Sequence, residues 1–122
     1  MKTEVMKRLP VLIPRSLETK IKGLLRYDKP PRGWGMLFLN VKEVHMIGMK
    51  FPIDVVFFDK KWIIRDIKKG QPGDRYITCP GATHTLEIAT GLADTLKRGQ
   101  RAQLHRNLLT FLQPGKIISP TS

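Results

Sequence analysis

Four polar side chains in this sequence could do chemistry together: His45, Lys50, Asp54 and Glu87. Asp54 stands inside the most apolar run of the chain, Ile53-Asp54-Val55-Val56-Phe57-Phe58. An isolated carboxylate in such a run is very costly, so it must be paired, hydrogen-bonded or placed at a wet strand end. If the central strand neighbours the strand carrying Glu87, the four groups converge. A His–Asp pair with a nearby carboxylate suits general acid–base work, and it suits the binding of a polar small molecule equally well. The same residues have a structural use. Asp54 can accept backbone N–H groups from the Gly48–Pro52 turn, or pair with Lys50 or an arginine, in a buried network that fixes the turn. Because buried ion pairs outnumber active sites, the structural use carries more weight for Asp54.

Other chemistry has thinner support. There is no Gly-x-Ser-x-Gly, and Ser16 stands where a helix cap belongs, so no serine nucleophile is expected. The potential metal ligands His45, His84, His105 and Cys79 show no HExxH, CxxC or other close spacing, so neither a metal nor another cofactor is expected. Nothing around Cys79 predicts a depressed thiol pKa. Gly33 and Gly35 flank Trp34, but no Gly-Lys-Ser/Thr and no helix start follow, so they are not a nucleotide loop. Trp34 could stack on a base or sugar; a tryptophan between glycines more often lids a core.

The elements that must position these groups are mostly strands. Ile53–Phe58 is β-branched and aromatic, with Ile53, Val55 and Phe57 on one face and Asp54, Val56 and Phe58 on the other. Both faces are mostly apolar, which predicts a strand covered on two sides. Asp59-Lys60-Lys61 turns it into a second strand over Trp62–Ile67, although no glycine is present for a left-handed position. Residues 4–14 predict an opening strand that Pro10 and Pro14 confine to an edge or interrupt. Ser16 caps a helix over Leu17–Leu25 with Leu17, Ile21, Leu24 and Leu25 on one face. Short strands are expected at Met36–Leu39, Val41–Met46, Tyr76–Thr78 and Arg101–His105. His84–Ala89 alternates with Leu86 and Ile88 inward and Thr85, Glu87 and Ala89 the other way. Thr90 then caps a helix to Arg98, closed by Gly99. The apolar patch Leu108–Leu112 either docks on the core or makes a subunit contact.

The 122 residues carry a formal charge of +12 and a pI near 10.3. Such an excess favours acidic partners, nucleic acid foremost, although it is spread along the chain without a basic block or tail. Tyr27, Trp34, Trp62 and Tyr76 could stack on bases, but no recognised RNA or DNA motif accompanies them. Lysine-rich surfaces are also a habit of heat-adapted proteins. No apolar run approaches the roughly 20 residues needed to span a bilayer. The N-terminus does not resemble a signal peptide, and a single cysteine suits a reducing compartment, so a cytoplasmic protein without membrane association is expected.

The run His45-Met46-Ile47-Gly48-Met49-Lys50-Phe51-Pro52-Ile53-Asp54-Val55-Val56-Phe57-Phe58-Asp59 resembles the hallmark of the domain of unknown function 192 family. Gly23-Leu24-Leu25, Gly33–Leu37, Pro80-Gly81-Ala82, Leu86–Gly91 and Gly99–Arg101 match its surroundings in order. The likeness spans about residues 15–106 and leaves 107–122 as a tail. Two departures stand out: Lys60-Lys61 replaces the usual Asp-Gly of the hairpin turn, and Gln100 replaces an acid. The resemblance implies a compact β-rich domain and brings no established activity. The expectation is therefore one domain over residues 1–122, α+β and mostly β. It would be a compact antiparallel barrel or sandwich with one or two short helices. Its expected role is a non-enzymatic small-molecule-binding module with its polar cluster at His45, Lys50, Asp54 and Glu87. A nucleic-acid-associated basic protein is the alternative, and an acid–base enzyme using Asp54 and His45 a further one.

Overall fold

The computed structural model describes residues 4–114. In chain order these form strand β1 (Val5–Leu12), helix α1 (Leu17–Lys22), a 3-10 turn (Gly23–Arg26), then β2 (Gly35–Phe38) and β3 (Glu43–Val44). There follow β4 (Ile53–Phe58), β5 (Ile64–Gly70), β6 (Ile77–Thr78), β7 (His84–Ala89), a 3-10 turn (Leu92–Thr95), β8 (Ala102–His105) and β9 (Leu108–Leu112). The fold is mostly β. Seven strands make one sheet in the order β5-β4-β7-β2-β1-β9-β8, and β3 with β6 makes a small second sheet. A bridge between Ile63 and Arg101 joins the two outer strands of the large sheet. With Ile64 N–H donating to Gln100 O at 2.9 Å and Ala102 N–H to Trp62 O at 2.9 Å, it draws the sheet into a barrel.

All pairings are antiparallel except that of β1 with β2. That parallel pair is joined by a crossover containing α1 and its 3-10 turn, because parallel neighbours cannot be joined by a tight hairpin. The crossover lies across the outside of the sheet. It is the piece that later makes the candidate site.

β4 is the axis of the fold, with all six residues buried. Its two faces feed two separate apolar clusters. Val56 and Phe58 point into the barrel with Leu37, Leu86, Ile88, Leu109 and Phe111. Ile53, Val55 and Phe57 point outward and are covered with Met36, Phe38, Leu24, Met46, Met49 and Phe51. The strand alternation expected from sequence is therefore matched by two covers, one being the rest of the barrel and the other the crossover with the β3–β6 loops.

Several local expectations are corrected. β1 is interior, lying between β2 and β9. Pro10 fits there because Val11 N–H donates to Asn107 O at 2.8 Å, which makes Pro10–Leu108 a non-hydrogen-bonded pair, and β2 pairs only with Val11 and Leu12, so neither neighbour needs a Pro10 N–H. The expected helix after Thr90 is only the 3-10 turn Leu92–Thr95, with Gly91 left-handed at φ 92° before it. The β4–β5 turn is longer than three residues. Asp59 Oδ1 accepts N–H groups from Lys61 at 2.8 Å and Ile63 at 3.0 Å, and Trp62 takes the left-handed position at φ 63°. Its ring repays that strain by stacking on His84 at 4.3 Å and tilting against Phe58 at 5.4 Å. The Leu108–Leu112 patch is β9, a full member of the sheet. Gln100 is buried: Nε2 donates to Leu112 O at 2.7 Å, and Oε1 accepts the Lys97 N–H at 3.0 Å.

Candidate functional site

Glu87 sits in the middle of β7, directly opposite Met36 of β2 on one side and Val55 of β4 on the other. Strand alternation turns its side chain to the outer face, away from the barrel interior that receives Leu86 and Ile88. On most barrels that face meets water. Here the crossover covers it, and Glu87 is only 5% exposed. Burial pushes its carboxyl up to about 8, with no charge or hydrogen bond among the described residues drawing it back. Its oxygens are not sealed in protein either, since among the described residues no fully enclosed side-chain oxygen lacks a partner. They open into a cavity of about 290 Å³.

The crossover builds that cavity. Ser16 and Thr19 form a capping box that starts α1, with Ser16 Oγ accepting the Thr19 N–H at 3.1 Å. Gly23 then adopts φ +46° and ends the α-helix, and the chain tightens into the 3-10 turn that buries Leu24. A side chain at Gly23 would meet the Phe38 ring at 3.2 Å and come within 4.0 Å of Glu87 Oε1. The change of direction at Gly23 defeats the single apolar helix face expected from sequence. Leu24 goes to the core, whereas Leu17 and Ile21 stay 74% and 63% exposed at the cavity's edge. Phe38, Val44 and Met49 complete the apolar wall; Lys20, Lys22, Glu43 and His45 supply its polar lining. A second cavity, of about 330 Å³, lies on the other side of α1 and shares Gly23 with the first.

The four residues expected to converge do not. Glu87 and His45 share the cavity, where His45 is exposed and its Nδ1 accepts the Ile47 N–H at 3.3 Å. Lys50 is exposed and pairs with Asp28, whose carboxyl it holds below the usual range by a hydrogen bond and its charge. Asp54 is fully buried on the opposite face of the sheet, because its register partner on β7 is Ile88 and not Glu87. There Oδ2 accepts the N–H groups of Gly91 and Ala93, each at 2.9 Å, and Oδ1 accepts Lys69 Nζ at 2.7 Å. Asp54 thus caps the Leu92–Thr95 turn from a distant strand. Neither Lys69 nor that turn was identifiable as its partner from sequence, and the Gly48–Pro52 turn contributes nothing to it.

Trp34 is half-buried, tilted against Tyr27 at 5.4 Å, and packs on the outer cluster. Cys79 is buried in that same cluster, His105 lies on β8, and His84 is stacked on Trp62 with its Nδ1 accepting the Asn40 N–H at 3.0 Å. Burial lowers the His84 pKa, disfavouring the charged ring. Among the described residues no three His, Cys, Asp or Glu side chains gather as metal ligands, and no helix is long and apolar enough to cross a membrane. Sequence missed the walls of the Glu87 cavity. Its one readable signal was a glutamate on a strand whose neighbours are apolar.

Two solved structures share this fold. A protein of unknown function from Novosphingobium aromaticivorans is 24% identical, with a TM-score of 0.70 over 77% of this chain and 74% of that one. A putative transcription regulator from Sinorhizobium meliloti is 22% identical, with a TM-score of 0.68 over 76% of this chain and 79% of that one. No curated protein matches the chain. Residues 1–104 match the family profile of the domain of unknown function 192, described as an uncharacterized ACR, and the chain belongs to that family.

Proposed function

We propose that the protein is a non-enzymatic binding module that takes a small molecule into the cavity between Glu87 and His45. The observation that carries this reading is Glu87 itself, a nearly buried carboxyl with no partner among the described residues, opening on an apolar cavity. Buried polar groups are ordinarily satisfied, so one left free in a concave apolar site supports a role reserved for a ligand. Exposed Leu17 and Ile21 at the same edge add apolar surface that a ligand would cover. An acid–base enzyme built on Asp54 and His45 has less support, because the Asp54 oxygens are engaged by Lys69, Gly91 and Ala93.

The test is a screen of small neutral and charged molecules by thermal shift, with methyl NMR on the wild type and on Glu87→Leu. Ligands should raise the wild-type melting temperature, move the Leu24 and Met49 methyl signals, and lose both effects in Glu87→Leu. A set of ligands indifferent to Glu87→Leu would remove the reading.

A second reading, nucleic-acid association, is favoured by the charge of +12. One structural neighbour is named a putative transcription regulator, at an identity where likeness bears on fold alone. Fluorescence anisotropy with single- and double-stranded oligonucleotides at low and physiological salt decides it. Binding that survives physiological salt supports a nucleic-acid role, and binding that vanishes marks general electrostatics.

A further inference from the structure

Resting on the cavity reading above, we propose that its ligand is a neutral molecule with an apolar body and a lactam-type –NH–CO– edge, gripped at two points by Glu87. Around Glu87 the floor of the cavity is apolar. Glu87's strand neighbours on β2 and β4, Met36 and Val55, are apolar, and Phe38 and Leu24 lie beside them. Charged and titratable groups reach the cavity only from its covers: Lys20 and Lys22 from α1, Glu43 from β3, and His45 from the loop after it. Lys22 is already paired with Glu18 at 2.8 Å.

Three ligand charges can be compared on this lining. A cation would have to pass lysines on a chain of net charge +12, and would then have to draw the proton off a buried acid. An anion would be drawn toward Lys20 and Lys22 at the covers, but at Glu87 it would have to bring its charge against a carboxyl group in an apolar wall. A neutral group pays neither cost. The protonated carboxyl, favoured near neutral pH by burial, carries one O–H donor beside one C=O acceptor. A lactam carries an N–H donor beside a C=O acceptor on a single edge, in complementary order. Two parallel hydrogen bonds then satisfy all the hydrogen-bonding atoms that both partners hide from water. The apolar remainder of the ligand lies against Leu17, Ile21 and Met49.

The experiment uses caprolactam as the neutral probe and cyclohexylamine as the cationic one, titrated into the full chain by calorimetry and methyl NMR. Caprolactam should bind at about pH 6 and weaken about tenfold for each unit above the Glu87 pKa, because only the protonated acid can donate. Glu87→Gln keeps one N–H donor and one C=O acceptor without ionising, so it should retain caprolactam binding and lose the pH dependence. Glu87→Leu should abolish binding while its melting temperature shows that it still folds. Preference for cyclohexylamine, strengthening as pH rises through the Glu87 pKa and lost in Glu87→Gln, would overturn the lactam assignment and leave the cavity reading standing. The same holds if neither probe binds but other fragments still depend on Glu87. If no fragment distinguishes wild type from Glu87→Leu, the cavity reading fails and the lactam assignment with it.

Discussion

Replacing Asp54 by alanine should unlatch the Leu92–Thr95 turn from the barrel and destabilise the protein by about 3 kcal/mol, since hydrogen bonds to a charged group are worth about 1.5–3 kcal/mol each before solvent screening. The magnitude follows from what each partner would lose. Ala93 is 3% exposed, so its N–H, 2.9 Å from Oδ2, would be stranded without water and should cost about 2 kcal/mol. Gly91 is exposed, so its N–H can turn to solvent at little cost. Lys69 is 52% exposed on its side chain, and its bond to Oδ1 is discounted for solvent screening to about 1 kcal/mol. Asp54→Asn should cost only about 1–2 kcal/mol, because its carbonyl oxygen can keep both backbone donors while its amide faces the Lys69 ammonium donor to donor. Urea denaturation of the two variants measures the difference, and hydrogen exchange at Gly91–Thr95 reports the turn directly. If Asp54→Ala fell within about 1 kcal/mol of wild type, or Asn proved as harmful as Ala, the capping role would be refuted.

Glu87 makes the opposite prediction. Its carboxyl rises from 4.5 to about 8 on folding, so between those values the folded state holds a proton that the unfolded state has lost. Stability should therefore fall by about 1.4 kcal/mol per pH unit as pH rises through that window. Glu87→Gln should lack this slope and be the more stable protein at about pH 8 in chemical denaturation, a gain expected when a group is kept for function. Trp62→Gly should be less destabilising than Trp62→Ala by about 1 kcal/mol, because only glycine relieves the left-handed φ of 63° while both lose the stacking on His84. Thermal unfolding of the pair checks the order, and the reverse order would contradict it. Gly35→Ala should cost about 1–3 kcal/mol, since its Cβ would lie 2.7 Å from Ile88 Cγ2 and 2.9 Å from Leu86 Cδ1. An alanine variant as stable as wild type would show that this part of the sheet can yield.

Much of the fold was legible because β-strands announce themselves by alternation. Ile53–Phe58 is apolar on both faces and is covered on both; His84–Ala89 alternates and forms β7 over those same residues. What the local pattern could not carry is which strands meet. A carboxylate on β4 and one on β7 look like neighbours in sequence logic. The register that sets Glu87 against Val55 puts Asp54 and Glu87 on opposite faces. The turn at Lys60-Lys61 was obscure for a related reason. With no glycine present, the left-handed position fell to Trp62, which is tolerable only because His84 arrives from a strand 22 residues later in the chain to stack on it. The crossover helix illustrates a third limit. Its apolar spacing predicts one continuous helix face, but the bend at Gly23 splits that face, sending Leu24 inward and leaving Leu17 and Ile21 beside the cavity.

The cavity reading and the ligand assigned to it both rest on Glu87 being buried, without a partner among the described residues, and open to the cavity. The direct measurement is an NMR titration of the Glu87 side-chain carboxyl carbon in the wild-type protein, with Glu87→Gln used to assign the signal. A midpoint near 8 is predicted. A midpoint at or below the ordinary value of 4.5 would mean that the carboxyl is solvated or already paired, and would contradict the account.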